Sequence, residues 1–200
     1  TTDRSQKTAL LRLYGGLNSG LPSYRLKRDL SILSRLIERN EDGKLDALIL
    51  EMIDLGVELT VKDGYGYCPL MFAAKAENPE FLKRMLKAGA NLEQPYTNNG
   101  MTILMLCLSK NRKVAPERIR LLLEAGANVN LITKDQFKPI HYAACFGTPE
   151  FLKLLLEFGA DINSASYNKT PLDMAVEIKN QPAVEFLQNN GGKTFAELKK

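Results

Sequence analysis

The feature that most constrains this fold is a unit of helix, break, helix and glycine that recurs about every 33 residues. The clearest copy runs from Lys138 to Ala160, where two apolar-periodic segments are separated by a proline-marked break. Glycines end the apolar runs at spacings of 33, 37, 33 and 32 residues, at Gly56, Gly89, Gly126, Gly159 and Gly191. A period of this length is typical of repeat proteins, in which each repeat buries its apolar face only against its neighbours.

Prolines mark the same period. They precede the second apolar run of four repeats, at Pro79, Pro116, Pro149 and Pro182. A proline at the first helical position loses no backbone hydrogen bond and has φ preset for the helix. Glu80, Glu117 and Glu150 follow three of them, and carboxylates are favourable at the positive end of the helix dipole. We therefore expect each proline to begin a second helix.

A third repeated motif opens each first helix. It reads Cys68-Pro-Leu-Met71, Thr102-Ile-Leu-Met105, Lys138-Pro-Ile-His141 and Thr170-Pro-Leu-Asp173. With Leu-Leu-x-x-Gly-Ala at Leu122 and Leu155, the chain resembles the ankyrin repeat, whose repeat is a β-turn and two antiparallel helices. The resemblance implies an all-α ankyrin-repeat solenoid of stacked helix–turn–helix repeats with β-turn or hairpin loops, and it covers about residues 29–192.

The expected domain organisation follows these marks. Residues 1–28 are a basic N-terminal extension that could hold a short helix, and residues 193–200 are a C-terminal tail. The repeat domain spans 29–192 and divides into a degenerate capping repeat at about 29–62 and further repeats at 63–96, 97–132, 133–164 and 165–192. The repeat at 97–132 carries a longer, basic loop at 109–115. Drift explains such an insertion simply, because loops tolerate it, and a partner contact is the alternative.

The sequence predicts no catalytic residue, metal site or cofactor, and therefore a non-enzymatic protein. The single histidine, His141, and Cys145 lie four residues apart, but a structural zinc site needs four nitrogen or sulfur ligands, and no such set converges. The resemblance implies that His141 hydrogen-bonds loop backbone and ties neighbouring repeats together. Three cysteines without paired spacing favour free thiols and an intracellular location.

Charge and hydropathy restrict the expected location of the chain and the class of its partner. The net charge is +4, and residues 1–40 carry eight Lys and Arg against three Asp and Glu, a net +5. Such a face is usually solvated surface, so nucleic acid is not the expected partner. Contact with nucleic acid or an anionic membrane through residues 1–40 and the 109–115 loop stays open as an alternative. No apolar run reaches about 18 residues, so we expect no transmembrane segment. A monomer in the cytoplasm or nucleus is expected, or in the host cytosol if the chain is a bacterial effector.

In proteins that resemble this one, turn tips and the outward side of each first helix form a concave binding face. The variable motif positions give the candidate partner-binding residues Tyr65, Tyr67, Lys75, Asn99, Met101, Lys110, Lys134, Asp135, Phe137, Phe146, Tyr167 and Lys169. Five are aromatic, and aromatic side chains are favoured interface anchors. The recurring lysines favour an acidic partner. The sequence thus predicts a protein–protein interaction module that binds a protein or peptide, with the targeting module of a larger enzyme or bacterial effector as a further alternative.

Overall fold

The computed structural model describes residues 32–40, 42–56, 59, 68–109 and 114–200. The predictions for the extension at 1–28, for Tyr65, Tyr67 and Lys110, and for the centre of the basic loop lie outside these residues. Over the described ranges the chain forms eleven α-helices, and its only β-pairing is one isolated bridge. Backbone contacts divide the chain into two compact units, residues 1–90 and 91–200, called here the N-terminal and C-terminal units.

The N-terminal unit contains two helix pairs. They are α1 (Ile32–Arg39) with α2 (Asp46–Asp54), and α3 (Pro69–Ala73) with α4 (Pro79–Lys87). The first helices pack together, α1 on α3, and so do the second helices, α2 on α4. Their buried side chains include Leu33, Ile49, Met52, Leu70, Phe81 and Leu82. The loops are joined as well, since the Asp46 carboxylate accepts hydrogen bonds from the amides of both Asn40 and Asn78.

The C-terminal unit contains three helix pairs and a short terminal helix. The pairs are α5 (Ile103–Leu108) with α6 (Pro116–Glu124), α7 (Pro139–Phe146) with α8 (Pro149–Glu157), and α9 (Pro171–Ile178) with α10 (Gln181–Asn189). Helices α5, α7 and α9 pack in series, and α6, α8 and α10 form a second series behind them. The side chains buried between the two series include Leu104, Leu122, Ala143, Leu152, Leu155 and Leu172. The described residues thus contain five helix pairs, and the predicted all-α repeat fold is confirmed.

The prolines and glycines that mark the repeats act largely as predicted. Pro79, Pro116 and Pro149 are the first residues of their helices. In the last repeat Gln181 takes the first position and Pro182 the second, so the expectation there is wrong by one residue. The helix-ending glycines have φ between +71° and +93°. A Cβ added to them would meet no atom within 4 Å, so the left-handed backbone, rather than crowding, requires glycine.

The C-terminal tail folds back onto the start of α9. It forms α11 (Phe195–Leu198), and the Phe195 N–H donates to Asp173 Oδ2 at 2.8 Å. Phe195 is half-buried, whereas Leu198 remains exposed. Within the described ranges, none of the helices has the length and apolar character needed to cross a bilayer.

Candidate partner-binding site

Three tight loops precede the first helices of the C-terminal unit and carry most of the candidate residues. Each is closed by a backbone hydrogen bond of 2.8–2.9 Å, donated by Tyr96 to Met101, by Thr133 to Phe137 and by Ser166 to Lys169. The enclosed residues are 97–100, 134–136 and 167–168, so successive loops shorten by one residue. We call these loops, together with the exposed residues at the carboxyl ends of α7 and α9, the turn face.

Hydrogen bonds join the first loop to the second. The backbone N–H of Lys134 donates to the carbonyl of Asn99 at 2.7 Å. The Asn99 side-chain amide donates to Asp135 Oδ2 at 3.0 Å. Tyr142, on α7, is half-buried beside these loops, and burial raises its pKa. Asn99, Lys134 and Asp135 are therefore brought together, and part of their polar capacity is used to hold the loops in register.

Aromatic rings join the second loop to the third. The half-buried Phe137 ring lies edge-on to His141 at a centroid distance of 5.8 Å and to Tyr142 at 6.1 Å. On its other side it contacts the Tyr167 ring at 6.1 Å. Tyr167 itself is 65% exposed. Phe137 therefore supports the loop, while Tyr167 presents its ring to solvent.

The third loop has an unusual backbone. Tyr167 and Asn168 have φ of +47° and +60°, and Ser166 and Lys169 exchange both backbone hydrogen bonds at 2.9 Å. Two left-handed central residues are the signature of a type I′ hairpin turn, for which Asn and Gly are preferred. Asn168 fits this preference, but a bulky tyrosine in the left-handed region is uncommon. The same loop places Lys169 Nζ 2.5 Å from Glu177 Oε2 on α9.

Exposed apolar side chains lie at the carboxyl ends of α7 and α9. Phe146, a candidate residue, is the last residue of α7 and is 42% exposed. Val176, which is absent from the candidate set, and Ile178 on α9 are both about half exposed. Val176 occupies the repeat position of Ala144, which is buried in the preceding repeat. Alignment of the repeats identifies Val176 as a large apolar side chain at a position that Ala74 and Ala144 hold in two earlier repeats.

The remaining candidates divide between the two units. Met101 is half-buried, and its backbone closes the first loop. Lys75 lies in the N-terminal unit, exposed at the rim of an open cavity of about 630 Å³ that Glu38, Asp46 and Phe81 also line. Nothing in the structure tests a binding role for either residue, and both stay predictions.

His141 is built into the fold. It is 1% exposed, its Nδ1 accepts the Lys138 backbone N–H at 2.9 Å, and its Nε2 lies 2.9 Å from the Ser164 carbonyl. Because a carbonyl only accepts, Nε2 carries the proton, and the ring is neutral. Burial lowers the pKa of His141. The expected hydrogen bonds to loop backbone are present, and Ser164 is the last residue before the repeat at 165–192.

Cys145 is the half-buried cysteine on α7. Burial, with a smaller contribution from Glu177, raises the pKa of its thiol to about 11. At that pKa almost none of the thiol is ionised near neutral pH, which disfavours nucleophilic chemistry. Among the described residues no group of three or more His, Cys, Asp or Glu could hold a metal ion.

Stacked helix pairs joined by tight loops define a helical repeat protein. More narrowly, the chain belongs to the ankyrin-repeat family: the family model described as "Ankyrin repeats (3 copies)" matches residues 30–133 and 112–196. Ankyrin repeats are generally protein–protein interaction modules, and the family is typically non-enzymatic.

Individual relatives share this repeat content. A putative ankyrin repeat protein of Fowlpox virus (strain NVSL) is 29% identical over 184 residues, which are 89% of this chain and 52% of that protein. Ankyrin repeat, SAM and basic leucine zipper domain-containing protein 1 of Echinops telfairi is 31% identical over 105 residues, 52% of this chain and 22% of that protein. The same-named protein of Mus musculus is 31% identical over 130 residues, 61% of this chain and 26% of that protein. The chain thus spans about half the length of the viral relative and about a quarter of the mammalian ones.

Proposed function

We propose that this chain is a non-enzymatic interaction module that binds a partner protein or peptide on the turn face of its C-terminal unit, with Tyr167 as the principal anchor. Phe146, Asn99, Lys134, Asp135 and Lys169 surround that anchor in the proposal. Lysines among them favour an acidic partner. Tyr65, Tyr67, Lys75, Met101 and Lys110 remain predicted contacts, and Phe137 acts through its support of Tyr167.

The single observation that carries this proposal is the conformation of Tyr167. A left-handed backbone costs an L-residue roughly 1–2 kcal/mol, and Gly or Asn would meet the same turn with less strain. The Tyr167 ring is 65% exposed, so it recovers little of that cost by burial. Strained residues of this kind concentrate at functional sites. An exposed aromatic ring backed by a second ring, here Phe137, is a rigid anchor of the type that dominates interface energies.

The experiment that tests the proposal separates folding from binding. The Tyr167→Gly variant removes the anchor while relieving the turn, so we expect its free energy of unfolding to stay equal or rise by about 1 kcal/mol. Peptides selected on the wild-type chain from a phage-displayed random library provide the binding probe. We expect these peptides to lose at least tenfold in affinity for Tyr167→Gly, the loss of one hot-spot residue.

The matched control is Asn168→Gly, which changes the other left-handed residue of the same loop and keeps the tyrosine. This variant should bind the selected peptides as the wild type does. Equal binding by Tyr167→Gly and the wild type would refute the role of the anchor. Failure of the wild-type chain to enrich any peptide sequence would refute the function itself.

A further inference from the structure

We infer that the segment recognised by the turn face carries a carboxylate beside a large apolar side chain, and that in the free protein Glu177 occupies the place of that carboxylate on Lys169. This inference rests on the proposed function and specifies the chemistry of its partner. It also assigns Glu177 a role as an internal competitor, which would weaken binding rather than support it.

The carboxylates of the turn face already have partners. Asp135 accepts the Asn99 amide at 3.0 Å, and Glu177 pairs with Lys169 at 2.5 Å. Asp173 lies outside the turn face at the start of α9, where it accepts the backbone N–H groups of Thr170 and Phe195, both at 2.8 Å. Each carboxylate is thus held by groups of the chain itself.

The lysines of the same face are less well matched. Lys134 and Lys179 are exposed, and neither forms an ion pair with any residue that the structure describes. The amide that bonds Asp135 is neutral, so three lysines, Lys134, Lys169 and Lys179, stand against two carboxylates, Asp135 and Glu177, and the turn face carries a net charge of +1. Since complementary potentials steer and select partners, the matching group is an anion, and a peptide supplies a carboxylate.

Apolar surface lies beside these charges. Cys145 and Glu177 occupy the same position of successive repeats, on helices α7 and α9 that pack together, so the Lys169–Glu177 pair lies beside the carboxyl end of α7, where Phe146 follows Cys145. Ile178 follows Glu177 directly and is 51% exposed, and Tyr167 lies two residues before Lys169. A partner that places a carboxylate on Lys169 therefore brings its neighbouring side chain within reach of Phe146, Ile178 or Tyr167.

The Lys169–Glu177 pair is suited to exchange. Its side chains are 46% and 58% exposed, and ion pairs this exposed contribute little to stability. Glu177 lies in the last turn of α9 (Pro171–Ile178), at the negative end of the helix dipole, where a carboxylate is unfavourable. The helix therefore does not require this negative charge, and a partner carboxylate can replace it without disturbing the fold.

The experiment uses the full chain and the phage-displayed random library. The best enriched peptide is then synthesised in two forms, one with its Asp or Glu and one with the corresponding Asn or Gln. Fluorescence anisotropy measures the affinity of both forms for the wild type, Glu177→Gln, Lys169→Gln and a matched control. The control is Glu185→Gln, the same change at an exposed carboxylate on α10.

We expect the enriched peptides to pair Asp or Glu with a large apolar residue. Glu177→Gln should bind the acidic form about two- to fivefold more tightly than the wild type, because an exposed ion pair of this strength no longer competes. Lys169→Gln should bind the acidic form more weakly than the wild type does. The amide form should bind Glu177→Gln and the wild type equally well. Glu185→Gln should leave the affinity for both forms unchanged. Thermal melts of the variants check that all remain folded.

The outcomes separate this inference from the proposed function. Enrichment of apolar peptides without a carboxylate overturns the inference, as does a Glu177→Gln affinity equal to or weaker than that of the wild type. In either case the proposed function stands if Tyr167→Gly still weakens binding by at least tenfold. If no peptide is enriched, or if the enriched peptides ignore Tyr167→Gly, the proposed function fails, and the inference that rests on it fails too.

Discussion

Acidification should weaken this fold through His141, the single histidine of the chain. Burial of the ring lowers its pKa in the folded state, and the hydrogen bond to the Ser164 carbonyl offsets only part of that effect. In the unfolded chain the imidazole has its ordinary pKa of about 6.5. Below about pH 6.5 the unfolded state therefore binds more protons than the folded state, and stability falls as the pH falls from there toward the folded-state pKa of His141.

The size of the effect follows from linkage. The stability contributed by the neutral ring is fully present above about pH 6.5. It is lost at up to about 1.4 kcal/mol per pH unit, which sets a ceiling of about 2 kcal/mol between pH 7 and pH 5. Replacing the ring removes this dependence, so the comparison variant is His141→Gln. At pH 7 this variant should be less stable by about 1–3 kcal/mol, since the change disturbs a buried hydrogen-bonded group.

The assay is urea unfolding of the wild type and His141→Gln at several pH values between 7 and 5. Exposed carboxylates titrate in both chains, so the difference between the two free energies isolates the imidazole. We expect this difference to shrink toward pH 5. In parallel, the NMR resonance of the histidine Cε1–H should titrate below pH 6.5 in the folded wild type. Parallel stability curves, or a folded-state pKa at or above 6.5, would refute the reasoning.

Two further predictions test packing and reactivity. A Cβ at Gly147 would lie 2.7 Å from the Ala143 carbonyl oxygen, so Gly147→Ala should cost about 1–3 kcal/mol in urea unfolding. At Gly159 no atom is crowded, and only the positive φ of +89° is unfavourable for other residues, so Gly159→Asn should be less destabilising than Gly159→Ala. At Gly147 the reason is steric, so Gly147→Asn should be no better than Gly147→Ala. A more stable Gly147→Asn would contradict that reason. Because its pKa is about 11 instead of 9.0, Cys145 should react with iodoacetamide at pH 8 roughly 100-fold more slowly than an unperturbed thiol. Because the charge of Glu177 contributes to the raised pKa, Glu177→Gln should accelerate this reaction. A wild-type rate equal to that of a free thiol would contradict the raised pKa of Cys145.

The sequence predicted the fold because its decisive signals are local. A glycine that adopts positive φ or a proline that begins a helix acts through its own backbone, and such marks recur in register along the chain. The starts of the four proline-marked second helices were therefore predicted to within one residue, with Pro182 as the displaced case. The hydrogen bonding of His141 to loop backbone was implied by the resemblance to ankyrin repeats, in which a histidine occupies the same motif position.

The arrangement of the candidate site could not be predicted in the same way. The pairs Asn99–Asp135 and Lys169–Glu177 join side chains 36 and 8 residues apart, and they depend on the exact lengths of the loops. Phe137 occupies a variable position, which suggested a partner contact. Its ring is half-buried among neighbouring rings, because the adjoining loop brings Tyr167 against it, and the partner contact stays a prediction. Variability along the repeats indicates where side chains can differ, whereas loop geometry decides which of them reach solvent.

The proposed function is supported by the residue types that the chain uses where the backbone adopts a left-handed conformation. The second helices of the repeats end in the left-handed region, and there the chain uses glycine, as at Gly126 and Gly159. The first loop of the turn face also uses glycine, at Gly100, but the second uses Gln136 and the third uses Tyr167. The described non-glycine residues that adopt this conformation are Gln136, Tyr167 and Asn168 in the later loops and Lys179 directly after α9. Tyr167 is the aromatic residue among them. Folding alone favours glycine or asparagine at these positions, so a tyrosine there is best explained by the surface that its ring presents.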